Sequence, residues 1–172
     1  MRIIVSDASV LFDLAEADLL LRCFRLPYEF QIADVMFEEE LLSLEPRTLD
    51  ALVEAGLVVA RFEGEEVLEA VRLRQRYRAL SAPDAFALLL ARRERAILLT
   101  GDRRLRNAAT TEGLERHGHL WMIEQLSDQT IVADSVLVRV LQTWKKDPRV
   151  RLPGDEIDAL RARLAPDRGD ET

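Results

Sequence analysis

Three aspartates of this chain, Asp7, Asp84 and Asp102, stand where a carboxylate can do chemistry. Asp7 follows the apolar run Arg2-Ile3-Ile4-Val5-Ser6. Asp102 follows Ala96-Ile97-Leu98-Leu99-Thr100 and Gly101. Short apolar runs of this kind read as buried strands, so both acids fall just past a strand's C-terminal end. Asp84 lies in Ser81-Ala82-Pro83-Asp84, at the head of a long apolar stretch. There Ser81 reads as an N-cap, and Asp84 completes a variant of the capping box while complementing the helix dipole. The run Glu38-Glu39-Glu40 offers a fourth acid. Helix neighbours are about 100° apart, so only one or two of the three can face inward. In open α/β sheets, ligand sites lie outside the carboxyl ends of the strands. Carboxylates gathered there repel one another and need protons or a cation between them. A hard divalent ion would settle that charge, activate water and stabilise the charge that builds on a phosphate under attack. This is a phosphodiesterase site in outline. Each acid alone would be no more than a turn or helix-start residue, so the reading rests on the pattern.

The elements that must position these residues alternate along the chain. Strands are predicted over 2–6, 28–32, 57–60 and 96–100. Helices are predicted from Ser9, as N-cap, through Leu14, and over 18–24, 35–44 (with Asp34 as N-cap) and 47–55, the last closed by Gly56. An amphipathic helix over 65–80 carries Val67, Leu68, Val71 and Leu80 on one face and an arginine ladder on the other. The helix from Ser81 comes next, and after the fourth strand a helix over 103–111. The run 120–123 reads as a strand or the beginning of a helix. Helices over 134–145 and 156–164 close the chain, the first with Val136, Leu137, Val140, Leu141 and Trp144 on one face. Strands alternating with helices predict a parallel α/β sheet. His117 and His119 read as loop residues and Trp121 as core.

Composition narrows the chemistry. A chain of 172 residues can bury one sizeable core. Its single Cys23 excludes an internal disulfide framework and fits a reducing cytoplasm. One cysteine and two histidines argue against structural zinc, so a metal would be held by oxygen, which favours Mg²⁺ or Mn²⁺. No apolar run is long enough to span a bilayer, so no membrane partner is expected, and the N-terminus lacks the pattern of a signal peptide. The net charge of −7 is not that of a basic nucleic-acid-binding domain. Arginines nevertheless cluster at Arg72-Arg74-Arg76-Arg78, Arg92-Arg93-Arg95 and Arg103-Arg104-Arg106, and arginine pairs bidentately with phosphate. As a bland alternative these are solvated helix faces.

The motifs Val5-Ser6-Asp7-Ala8-Ser9-Val10-Leu11, Ser81-Ala82-Pro83-Asp84-Ala85 and Leu98-Leu99-Thr100-Gly101-Asp102, with an acid on the second main helix, resemble those of PIN-domain proteins, the ribonuclease fold of VapC-type toxins. The resemblance covers roughly residues 2–130. It implies a three-layer α/β/α sandwich around a mostly parallel sheet and Mg²⁺- or Mn²⁺-dependent cleavage of RNA. It further implies an antitoxin as partner if the chain is a toxin, and a homodimer of the kind common among such folds. Carried over, Asp7, Asp84 and Asp102 match the family's acidic positions as catalytic residues and metal ligands. Ser9 and Thr100 match hydroxyls that would support those ligands from behind. For the second catalytic acid, spacing from Ile32 favours Glu39 and the leucine after the glutamate favours Glu40; the reading adopts Glu39. The expected organisation is a nuclease domain over 1–130, a helical extension over 131–166 and a disordered tail over 167–172.

Two other classes compete. A catalytically inactive PIN-like module binding RNA or protein would suit the negative net charge, while the intact acids argue against it. A haloacid-dehalogenase-type phosphatase needs a second aspartate two residues after Asp7, where this chain has Ser9. A dinucleotide-binding domain would need a G-x-G-x-x-G run after the first strand, and none is present.

Overall fold

The computed structural model describes residues 1–41 and 46–165, so the expected tail and the far end of the helix predicted over 35–44 lie outside the described residues. In chain order the elements are β1 (Arg2–Ser6), α1 (Ala8–Glu16), α2 (Leu20–Cys23), β2 (Tyr28–Ala33), α3 (Asp34–Glu39), α4 (Pro46–Glu54) and β3 (Val58–Ala60). There follow α5 (Glu65–Arg76), α6 (Ala82–Glu94), β4 (Ile97–Leu99), α7 (Arg103–Thr111), β5 (Arg116–His117), α8 (His119–Asp128), α9 (Asp134–Lys146) and α10 (Gly154–Leu164). The chain forms two compact units, Met1–His119 and Leu120–Thr172. That boundary falls ahead of residue 130.

The first unit is built on a five-stranded sheet of order β3-β2-β1-β4-β5, in which every pairing is parallel. With helices flanking it, this is the layered α/β fold the sequence predicts. β1 takes the centre because Ile4 and Val5 are fully buried, and a strand covered on both faces must be apolar on both. Val5 pairs with Gln31 on one side and Leu98 on the other. The chain steps outward from β1 through β2 to β3, then returns to the other side of β1 as β4. In open α/β sheets such a reversal, beyond the carboxyl ends of β1 and β4, is where ligand crevices form.

α6 crosses this sheet and packs against β1, β2, β4, α3, α5 and α7. It is apolar nearly all round, with every residue from Pro83 to Ala91 except Asp84 buried, as expected of a helix enclosed on all sides. Its beginning is fixed locally. Ser81 Oγ accepts from the Asp84 N–H at 3.1 Å, and Asp84 Oδ2 accepts from the Ser81 N–H at 2.9 Å, a complete capping box.

Several local expectations change. α1 is capped by Asp7 rather than Ser9. Asp34 opens α3 from inside rather than as its N-cap, and its carboxylate also accepts from the Phe62 N–H at 3.3 Å, tying α3 to the chain after β3. α5 ends at Arg76 and buries Ala70 and Leu73, whereas Val67, Leu68 and Val71 face solvent. Its apolar residues occupy more than one face, so counting them misplaced the buried one. The run at 120–123 is helical, within α8, and Trp121 is only half-buried. Cys23 is buried, which pushes its thiol up to about 12.

In the second unit Leu137, Leu141 and Trp144 of α9 are buried, as are Ile157, Leu160 and Leu164 of α10, and the two helices pack on each other. Ion pairs Lys145–Asp158 and Arg163–Glu124 lie within this unit. Among the described residues no helix is long and apolar enough to cross a membrane.

The two faces of α5 make opposite predictions. Leu73→Ala should cost about 2–5 kcal/mol through cavity formation, whereas Leu68→Ala should stay within about 0.5 kcal/mol as a surface change. Urea denaturation of the two variants measures both.

Candidate active site

Parallel pairing brings the first and last acids together. The Asp7 N–H donates to the Leu99 carbonyl at 3.0 Å, continuing the β1–β4 ladder one residue past β1. The Asp7 side chain turns back to cap α1: Oδ1 accepts from the Val10 N–H at 3.0 Å and from Ser9 Oγ at 2.9 Å. Oδ2 accepts from the Thr100 hydroxyl, which is itself fully buried. Only 6% of Asp7 is exposed. Burial pushes its pKa up, against the opposing pull of hydrogen bonds from Thr100, Val10 and Ser9 and of the His119 charge.

Thr100 is the hinge pin between two acids. While its hydroxyl donates to Asp7, its Oγ1 accepts from the Asp102 N–H at 3.0 Å. Asp102 then caps α7, Oδ1 accepting from the Arg104 and Leu105 N–H groups at 2.7 and 3.0 Å. Asp102 is exposed at the rim.

The acids of α3 and α6 face this edge. Glu40 stands at the C-terminal end of α3, half-buried, its N–H donating to the Met36 carbonyl at 3.0 Å. Its pKa is pushed up by burial and then by the charges of Asp84, Asp7 and Glu39. Of the two acids left open in the sequence, Glu40 thus lies within electrostatic reach of both Asp84 and Asp7, while Glu39 is exposed. α3 ends at Glu39, and Glu40 follows as its C-cap with backbone still in the helical region.

The arginine clusters divide. Arg92 pairs with Glu69 at 2.8 Å and with Glu112 at 3.5 Å, Arg76 with Glu112 at 3.1 Å, and Arg93 with Glu66 and Glu94 at 2.9 Å each. Those arginines join α5, α6 and the end of α7. Arg103, Arg104 and Arg106, directly after Asp102, are exposed and form no ion pair among the described residues.

Two participants escaped the sequence reading. His119 is not a loop residue: it opens α8, only 4% is exposed, and Nε2 donates to Asp13 Oδ2 at 2.7 Å. Its partners are distant in sequence, and the small Gly101 between Thr100 and Asp102 was the one available hint of a close approach. His117 lies in β5.

As a cation site the donor set is suitable in kind, since Asp7, Glu40, Asp84 and Asp102 offer only hard oxygen ligands. Burial first, and then repulsion from Asp84, Asp7 and Glu39, disfavour the charge on Glu40, a cost that a divalent cation would relieve. Among the described residues no three such side chains converge closely enough to be a preassembled metal centre.

A parallel sheet with acids gathered at its carboxyl edge and a paired β1–β4 core is a nuclease-type α/β fold. The family model described as "DUF3368: PIN domain" matches residues 3–164, so the chain belongs to the PIN-domain family. That span takes in α9 and α10, both beyond residue 130. A solved structure of a PilT N-terminus domain protein from the hyperthermophilic archaeon Sulfolobus solfataricus is 17% identical, with 74% of this chain and 92% of that chain covered at a TM-score of 0.46. No curated protein matches the chain.

Burial of Asp7 predicts a pH signature. Its folded pKa lies above the ordinary 3.8, so its contribution is favourable at low pH and is lost as pH rises through the folded value. Asp7→Asn, which cannot ionise, should therefore melt higher than wild type at neutral pH in chelator. The gap should close on acidification toward pH 3.8, and calorimetry across pH tests it. Thr100→Val strands Asp7 Oδ2 and the Asp102 N–H, and should cost about 1–3 kcal/mol in denaturant titration.

Proposed function

We propose that the chain is a metal-dependent endoribonuclease that hydrolyses phosphodiester bonds at the carboxyl edge of β1 and β4. The observation that carries this reading is the electrostatic grouping of Asp7, Glu40 and Asp84, with Asp102 tied to Asp7 through Thr100. Asp7, Glu40 and Asp84, with Asp102 at the rim, are the residues that would hold Mg²⁺ or Mn²⁺. The ion would supply charge neutralisation and activation of water at neutral pH. The chain's own groups prepare the edge for it: Ser9 and Thr100 hold the two oxygens of Asp7 in place, and Ser81 holds one oxygen of Asp84. Arg103 and Arg104 stand exposed beside Asp102, placed to engage phosphates of the substrate backbone. RNA as substrate, and the role of toxin with a cognate antitoxin, follow the resemblance to VapC-type proteins.

The second reading is a PIN-like module that binds RNA or protein without cutting. The lack of three converging ligands among the described residues and the net charge of −7 favour it.

Cleavage of a mixed RNA substrate with Mn²⁺ or Mg²⁺ separates the two, using protein freed of any co-purifying antitoxin. Under the nuclease reading, Asp7→Asn, Asp84→Asn and Glu40→Gln each lower the rate by about 100-fold or more, while Glu39→Gln stays near wild type. Wild-type protein that binds neither ion and leaves every RNA intact establishes the binding module instead. A loss confined to Glu39→Gln would restore Glu39 as the second acid.

A further inference from the structure

We infer that His119, held by Asp13, is a positioning residue that fixes the turn Thr100-Gly101-Asp102 beside the acidic site. The inference deepens the proposed function and rests on it for its catalytic consequence.

The ring is held at two points, and the backbone before it adds a third tie to the turn. Nε2 is anchored on Asp13 Oδ2 at 2.7 Å, on the half-buried side of α1. At Cε1, between its two nitrogens, it packs against Gly101. A Cβ added at Gly101 would lie 2.6 Å from the ring's Cε1 and 3.3 Å from Nδ1, a separation real Cβ atoms do not show. The imidazole therefore fills the volume that any side chain at 101 would take. Gly101 is not among the glycines with positive φ, so glycine is required here for space and not for backbone conformation. The backbone before the ring completes the clamp. The Thr100 N–H donates to the His117 carbonyl at 3.0 Å, and a Cβ on Gly118 would meet the Thr100 carbonyl at 3.6 Å.

What this clamp holds is the two-way hydroxyl of Thr100. Any drift of the turn moves the donor to Asp7 Oδ2 and the acceptor of the Asp102 N–H at once. The middle residue of the turn has no side chain, and the ring supplies the packing that Gly101 itself cannot. Sites that depend on placement within a fraction of an ångström are held by supporting residues of this kind, and their loss typically weakens metal binding. Beside its electrostatic pull on Asp7, His119 acts through its contact with Gly101 in the turn.

The test begins with a double-mutant cycle in urea. Gly101→Ala should be clearly destabilising in wild type and nearly free of cost in the His119→Ala background, because the clash is with the ring. Should His119→Ala fold poorly, Asp13→Ala, which releases the ring without removing it, takes its place. Equal cost of Gly101→Ala in both backgrounds overturns the proposed contact.

Positioning is read separately from stability. In His119→Ala, amide exchange should quicken at Asp102, Arg104 and Leu105, whose N–H groups report the turn and the α7 cap, while β1 amides keep their protection. Mn²⁺ binding should weaken about 10- to 100-fold, kcat on RNA should fall with KM unchanged, and His119→Gln, which keeps a donor toward Asp13, should recover part of both. Unchanged exchange and unchanged Mn²⁺ affinity would make the contact merely structural and overturn the inference. Wild-type protein that neither binds Mn²⁺ nor cuts RNA would defeat the proposed function instead. In that case the cycle and the amide exchange still decide the positioning claim.

Discussion

The pairing of β1 with β4 is the constraint on which the rest of the structure depends. Ser6 pairs with Leu99, and the hydrogen bond from Asp7 to the Leu99 carbonyl carries the ladder to the point where both strands end. Because the pair is parallel, both strands end on the same side, and whatever follows each must share that edge. An antiparallel pair would have sent Asp7 and Asp102 to opposite ends of the sheet. The crossover from β3 back to β4 is therefore what makes a site, and α6, filling the space between, is what makes the crossover stable. Its buried alanines and leucines let one helix touch three strands at once, while its first turn carries the half-buried Asp84.

That edge places carboxylates where burial works against them. Asp7 meets this cost with hydrogen bonds from Val10, Ser9 and Thr100 to the two oxygens of its carboxylate, which favour the ionised form without abolishing the upward push of burial. Glu40 has like charges for neighbours and is pushed in the same direction. A fold optimised for stability alone would replace these acids with amides or apolar groups, since uncompensated buried charge is among the more costly features a core can contain. The hydrogen bonds hold the acids in register, and the charge imbalance remains for something outside the chain to settle. That pairing of held geometry with unsettled charge is what distinguishes a prepared site from a merely polar turn.

Legibility in the sequence followed the range of each interaction. Ser81 and Asp84 could be read as a capping box because both partners lie within one turn, and strands β1 and β4 because their burial on two faces leaves continuous apolar runs. Asp7 and Asp102 were recognisable as strand-end acids, although the role of Asp7 as N-cap of α1 was assigned to Ser9, two residues on. What failed was either too short or too distant. β5 is an Arg-His pair with no apolar signature, paired in parallel with β4. Between Glu39 and Glu40 the sequence carries two signals that disagree, the spacing from Ile32 and the leucine after the glutamate. On α5 the exposed Val67, Leu68 and Val71 carried the apolar pattern, while the buried face rests on Ala70 and Leu73, less conspicuous in any count. His119 and Asp13 meet across more than half the chain, and no local rule connects them.

The arginines show how a negatively charged chain can still address a polyanion. Much of the basic side chain surface on α5 and α6 is spent internally. Glu69 bridges Arg72 and Arg92, and Glu112 bridges Arg76 and Arg92, so these guanidiniums face partners of their own chain and not solvent phosphate. Exposed pairs of this kind contribute little to stability individually, but as a network they fix the α5–α6 contact and withdraw positive charge from the far side of the sheet. Arg103, Arg104 and Arg106 remain exposed on the first turn of α7, next to Asp102. Together they place exposed positive charge at the rim, beside Asp102. A backbone phosphate drawn to them arrives beside the carboxylates, and bulk charge then matters less than where the unneutralised part of it lies.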